Sequence, residues 1–234
     1  MRWDAVSRKL PGQMGNVLEV GSGKGGFAAR IAPRCQQFTG LEPDPTSHAI
    51  AVDAIGADAD ISLSRVEDLA ASETFDLVCA FEVLEHLEDD AAALAQWAKK
   101  LRPGGMLMLS TPAHANRLGA WDRMVGHHRR YDVETMQALL ASAGLKDIEI
   151  ELYGHPIGQV LERVRNLIAA RRLKNSENQL GDYVERTSSS ARLLQPSGAL
   201  ASIGMRFAAV PLAAIQRLFP NQGIALIATA RRPQ

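Results

Sequence analysis

The sequence predicts an α/β fold, a doubly wound sheet of mostly parallel strands with helices on both faces, built by one domain spanning residues 1–234. Three observations predict it. Short apolar runs alternate with helical patterns over the first 150 residues. Phe75–Ala80 (FDLVCA) is a continuous apolar run, as expected of a strand covered on both sides. A glycine-rich turn joins the first strand to the helix after it.

The elements follow in order. Asn16–Val20 reads as the first strand and Gly26–Cys35 as a helix. Phe38–Leu41, Ile61–Leu63, Phe75–Ala80 and Met106–Leu109 read as further strands, with Pro45–Ile55 helical between the first two. Asp90–Leu101 reads as a helix stopped by Arg102-Pro103-Gly104-Gly105. Thr135–Ala143 is a helix closed by Gly144, and Ile148–Tyr153 is a strand. His155–Lys174 then reads as a basic amphipathic helix, 175–198 as a polar loop, and Leu200 to Leu218 as a second apolar stripe. Gly223–Ala230 (GIALIATA) closes the sheet, so 154–222 is expected to be a helical insertion and lid between two strands.

Composition narrows the function classes. Hydrophobic residues make up 46% and charged residues 22%, which excludes a disordered or fibrous chain. The two cysteines, Cys35 and Cys79, form neither a CxxC pair nor a zinc spacing, and they fit a reducing, cytoplasmic setting. The first 15 residues lack the apolar run of a signal peptide. Residues 1–154 hold 15 Lys+Arg against 22 Asp+Glu, whereas 155–234 hold 11 against 4. The two halves can complement each other, or the basic half can meet an anionic surface. Its basic residues lack interleaved aromatics, so no nucleic-acid partner is expected.

The glycine turn, VLEVGSGKGGF at 17–27, is the first functional signal. Glycines there permit positive φ and close approach of a ligand to the backbone. Gly21, Gly23 and Gly26 spell G-x-G-x-x-G, which admits a dinucleotide fold. Leu18 stands where a P-loop needs glycine. Glu42 ends the second strand, 21 residues after Gly21, where a carboxylate accepts from both hydroxyls of a ribose. A ribose does not distinguish a nicotinamide cofactor from other nucleosides.

Further motifs give a family resemblance. VLEVGSGKGGF, with Glu19 inside the strand, resembles the first motif of class I S-adenosylmethionine-dependent methyltransferases. FTGLEPDP resembles their acidic second motif, and SRVEDL the segment that meets adenine. FDLVCAFEVLEHLED and LRPGGMLMLSTP resemble the fourth-strand motif and the turn into strand five. The resemblance covers 16–150. It implies a Rossmann-like seven-stranded sheet of order 3-2-1-4-5-7-6 with the last strand antiparallel, and S-adenosylmethionine as cofactor. It implies that Glu19, Gly21, Ser22, Gly23, Gly25 and Phe27, then Glu42 and Pro43, then Glu67 and Asp68, and finally Ala80, Phe81 and Glu82 surround that cofactor.

The EVLEH string with a later histidine resembles ubiquinone-biosynthesis O-methyltransferases and small-RNA 2′-O-methyltransferases. That resemblance implies His86 and His128 as catalytic or acceptor-orienting groups. It also admits Glu82, Glu85, His86 and His128 as ligands of a divalent metal, though a structural role without metal is the leading expectation. Arg129, Arg130 and Tyr131 fall on the stretch that lines the acceptor pocket in this family, where an arginine pair can grip phosphate or carboxylate. The reading is a methyltransferase acting on a small or lipid-linked acceptor at oxygen. Residues 154–222 could also serve as a peripheral membrane contact or a homodimer seam. Two alternatives stand beside it: an NAD-type oxidoreductase, and a non-catalytic module that binds the cofactor and regulates a partner.

Overall fold

The computed structural model describes residues 1–56, 59–176, 216, 219 and 221–234. Seven strands form one sheet: β1 (Met14–Val20), β2 (Cys35–Leu41), β3 (Asp60–Ser62), β4 (Phe75–Phe81), β5 (Leu101–Pro112), β6 (Lys146–Gly154) and β7 (Gly223–Arg231). Their order is β3-β2-β1-β4-β5-β7-β6, as the motifs imply. β7 pairs antiparallel with both β5 and β6, and the other pairings are parallel. The helices are α1 (Arg2–Lys9), α2 (Ala28–Ile31), α3 (Pro45–Ile55), α4 (Asp90–Lys99), α5 (Ala120–Val125), α6 (Val133–Ser142) and α7 (Ile157–Ser176).

Strand alternation makes two cores from one sheet. Val78 and Ala80 of β4 join Leu107, Leu109, Leu94, Trp97 and Met136, which puts α4 and α6 on one face. Leu77, Cys79 and Phe81 join Met108, Ile31, Ile55 and Val6, which puts α1, α2 and α3 on the other. Burying both faces explains why FDLVCA reads as apolar throughout.

Four boundaries differ from the sequence expectation. The helix expected over Gly26–Cys35 shrinks to α2 and a 3-10 turn at Ala32–Arg34. Pro33 lacks the N–H that would continue the ladder, and Cys35 already begins β2. Arg102–Gly105 does end the helix, yet these residues form a bulge within β5, with Gly104 at φ +73°. The leader forms α1, which the sequence reading left without structure; Ala5 and Val6 bury, while Arg8 and Lys9 pair with Glu151 and Glu149 of β6. Residues after β5 form α5, also unanticipated.

The basic helix appears as α7, but Val160, Leu161, Val164 and Leu167 of its apolar stripe are exposed among the described residues. The polar loop expected at 175–198 and most of the second apolar stripe lie outside the described residues, so most of the expected 154–222 insertion does too.

Candidate active site

Four parallel strands deliver their carboxyl ends to one edge, and the glycine turn leaves β1 there. Gly21, Gly23 and Gly25 have φ of +71°, +55° and +78°. A Cβ on Gly21 would stand 2.6 Å from Val83 Cγ2, and one on Gly25 2.7 Å from Ile55 Cδ1. Gly26 has open space where a Cβ would go. Gly21 and Gly25 are therefore the crowded glycines, and Gly26 does not do the helix-packing job that the third glycine has in dinucleotide folds.

A cavity of about 600 Å³ opens beside this turn, and Gly21, Gly23, Glu42, Pro43, Glu67, Phe81, Glu82 and His86 line it. The Glu42 carboxylate accepts from the backbone N–H of Gly23 at 2.7 Å and of Asp44 at 2.8 Å, which fixes it between the two loops. Glu19 lies behind the lining, 1% exposed, and its Oε2 has no hydrogen-bond partner. Burial raises its carboxyl to about 8; the Ser22 hydroxyl opposes that rise and Glu42 adds to it. Ser22 Oγ is buried beside it with no hydrogen bond of good geometry, close enough only to ease the Glu19 carboxylate.

The remaining expected cofactor residues serve the frame. Phe27 stacks on Phe81 with ring centroids 4.3 Å apart. Ala80 is buried within β4, and the Asp68 carboxylate accepts from the N–H of Arg65 at 2.7 Å, closing its own turn.

Glu82 lines a second cavity as well, of about 190 Å³. It follows β4 at φ +60°, unusual for a residue with a side chain, and its N–H donates to Ser110 O at 2.8 Å. Its Oε2 pairs with Arg2 at 2.7 Å, and Arg2 also donates to the Tyr153 hydroxyl. The far wall holds an ionic network from α5, α7 and the segment between. Arg130 donates to both oxygens of Asp122, at 2.9 and 2.7 Å, and to Glu162, which also pairs with Arg117.

His127 Nδ1 lies 2.8 Å from Asp122 Oδ1. Burial opposes the charge on Asp122, but hydrogen bonds from His127 and Arg130 outweigh it and hold the carboxyl at about 2. An ionised carboxylate only accepts, so Nδ1 donates to Asp122, and the other ring nitrogen, Nε2, lies 3.9 Å from Glu85 Oε1. His127 meets His86 edge-on at 4.6 Å, and burial, followed by repulsion from His127, lowers His86 to about 4, a neutral imidazole.

Comparison with known proteins agrees with this geometry. The methyltransferase domain family matches residues 4–150. The chain belongs to the class I S-adenosylmethionine-dependent methyltransferases. Nodulation protein S of Rhizobium tropici is 30% identical over 166 residues, 68% of this chain and 67% of that protein. A ubiquinone biosynthesis O-methyltransferase of Xanthomonas oryzae pv. oryzae is 36% identical over 117 residues; the match takes 47% of this chain and 48% of that enzyme, so the chain spans about half its length. The crystal structure of N-methyltransferase NodS from Bradyrhizobium japonicum WM9 with S-adenosyl-L-homocysteine shares the fold, with a TM-score of 0.56 and 19% identity over 100% of this chain and 84% of that one.

The methyltransferase departs from its sequence-level expectation at the acceptor side. Tyr131 is bridged to Ala113, and Arg129 and Tyr131 both reach Asp90 while Arg130 turns to Asp122 and Glu162. Only Arg130 lines the smaller cavity. Arg129 is exposed and pairs with Asp90 and Glu88 O, and Tyr131 is buried with its hydroxyl on Asp90. The pair therefore cannot close as a fork on one ligand.

The expected metal set is also rearranged. Glu85, His86 and His127 bring ligand atoms within 4.8 Å of one another, and neither oxygen of buried Glu85 has a hydrogen-bond partner. Burial and then Glu82 push the Glu85 carboxyl well up. Glu82 is committed to Arg2, and His128 contributes its backbone N–H to Glu85 O. Those three residues are the ones that would hold a divalent ion. Among the described residues of the methyltransferase, no helix is long and apolar enough to cross a membrane.

Proposed function

We propose that the methyltransferase moves a methyl group from S-adenosylmethionine, held in the larger cavity, to a hydroxyl of a small metabolite in the smaller one. One observation carries the reading: Glu82 belongs to the walls of both cavities, so donor and acceptor meet at a single residue. The fit of the larger cavity is supported by the orphaned Glu19 oxygen behind its wall, by Glu42 on its lining and by the side-chain-free turn at Gly21 and Gly23. S-adenosylmethionine supplies an activated methyl on a good leaving group. The chain aligns the partners and excludes water.

The proton of a hydroxyl must also go somewhere. His127 lines the acceptor cavity, and Asp122, bonded to its Nδ1, stabilises the imidazolium that forms when Nε2 takes that proton. His127→Gln is expected to lower kcat by about 10²–10⁴-fold with the affinity for S-adenosylhomocysteine unchanged. A fully active variant would remove the base. Incubating metabolite extracts with isotopically labelled donor, read by mass spectrometry, finds the acceptor; extracts that never take up label would defeat the enzymatic reading and favour the regulatory module.

A nitrogen acceptor is the second reading. It is supported by the length of the match to nodulation protein S, 68% of this chain against 47% for the ubiquinone enzyme. Fragmentation of the labelled product separates O-methyl from N-methyl.

A further inference from the structure

The smaller cavity has one arginine without an ion pair among the described residues. Arg2 is paired with Glu82, and Arg130 with Asp122 and Glu162. Arg165, on α7, lines the same cavity and has no carboxylate partner among the described residues. Its Nε is buried without a hydrogen-bond partner. Its guanidinium lies over the Trp121 ring, 5.4 Å from the centroid. A guanidinium on an aromatic face keeps its N–H groups in the plane of the fork, free for a planar or tetrahedral oxyanion.

That stack is held in place by design of the backbone. The Trp121 N–H donates to Asn166 Oδ1 at 2.9 Å, next in sequence to Arg165, and so ties α5 to α7. Gly119 admits this contact, since a Cβ there would stand 2.5 Å from Asn166 Oδ1. Partial burial works against the charge on Arg165, Arg2 adds to that and Glu82 offsets part of it. Holding a cation rigidly at a cavity wall makes sense when a ligand completes it.

We propose that the methyl acceptor carries an anionic group, a carboxylate or phosphate, that docks on Arg165 above Trp121. The inference deepens the reading of the smaller cavity as the acceptor site and rests on it. It replaces the Arg129–Arg130 fork expected from the sequence, because both of those guanidiniums are consumed by internal carboxylates.

The test is calorimetric titration of the full chain saturated with S-adenosylhomocysteine, at constant ionic strength. The probes are benzoate, phenyl phosphate and neutral benzyl alcohol, with anionic phosphatidic acid vesicles in a separate arm. Both soluble anions are expected to bind more tightly than benzyl alcohol. Arg165→Gln is expected to weaken them by about tenfold or more, the range for hydrogen bonds to a charged group, and to leave S-adenosylhomocysteine affinity unchanged. Vesicle binding that depends on Arg165 with no soluble binding places the anion on a lipid headgroup and keeps the proposal. Equal affinity for benzyl alcohol, or soluble and vesicle binding both insensitive to Arg165→Gln, overturns it. If Arg165→Gln does not fold, Arg165→Lys and the anion-to-alcohol ratio of the native chain decide. Failure of methyl transfer is a separate outcome: anions that bind through Arg165 in a chain that labels no metabolite leave this site standing and defeat the enzymatic reading.

Discussion

Glu19→Gln isolates a charge that the fold stores under the cofactor turn. In the unfolded chain this carboxyl ionises near its ordinary 4.5, whereas in the folded chain it keeps its proton to about 8. The folded state therefore binds the extra proton between those values, and stability falls as pH rises through that window. Each pH unit removes about 1.4 kcal/mol, so from pH 5 to 7 the native chain is expected to lose about 3 kcal/mol relative to Glu19→Gln. Urea unfolding of both proteins at the two pH values measures this. Ligand binding gives the complementary sign. An ammonium placed beside Glu19 drives off its proton, so affinity for S-adenosylhomocysteine should rise about tenfold per unit from pH 6 to 7. Over that range the ligand's own amine stays charged. Glu19→Gln should flatten both slopes. Parallel pH profiles for the two proteins would refute the reasoning, because the orphaned oxygen would then be neither protonated nor aimed at a cation.

Arg130→Ala leaves Asp122 and Glu162 buried together without their shared cation and is expected to cost about 3–5 kcal/mol of stability by chemical unfolding. Arg129→Ala takes the cation from buried Asp90, which still holds the Tyr131 hydroxyl, and should cost about 1–3 kcal/mol while leaving the acceptor KM unmoved; a raised KM would return Arg129 to the site. Gly25→Ala forces a side chain to φ +78° and against Ile55, and should cost about 1–2 kcal/mol with weaker cofactor binding in calorimetry. Chelation of divalent metals should leave methyl transfer intact, since His127 and Asp122 handle the proton; activity lost and restored by added metal would instead put an ion on Glu85, His86 and His127.

The sheet was legible because its signals are local and redundant. Two-sided burial makes FDLVCA apolar at every core position, and Gly21 and Gly25 mark a turn whose positive φ and close neighbours disfavour a side chain. The acceptor wall was not legible, because there a side chain's direction is set by distant partners. Whether Arg129 or Arg130 points inward depends on a bridge between Tyr131 and Ala113. In the His127-His128 pair the choice is made by Gly126, a left-handed cap at the end of α5. A six-residue helix leaves little periodic signal and depends on tertiary packing, as α5 does on α7. Arg2 escaped notice because it sits in the leader, and Arg165 was read only as part of the charge of a basic amphipathic helix, because nothing in its spacing marks which arginine meets the cavity. Pro33, by contrast, was a visible breaker that the helical reading passed over.

The two walls that meet at Glu82 have different origins along the chain. The donor side is built from the strand ends and turns of β1, β2 and β4, while much of the acceptor side comes from α5 and α7, outside that parallel framework. The stretch that joins α5 to α7 carries α6, whose Met136 and Leu140 sit in the core, and β6, which pairs with β7. The wall of the smaller cavity is therefore tied to the sheet at both ends, and changes there are confined to single side chains of α5 and α7.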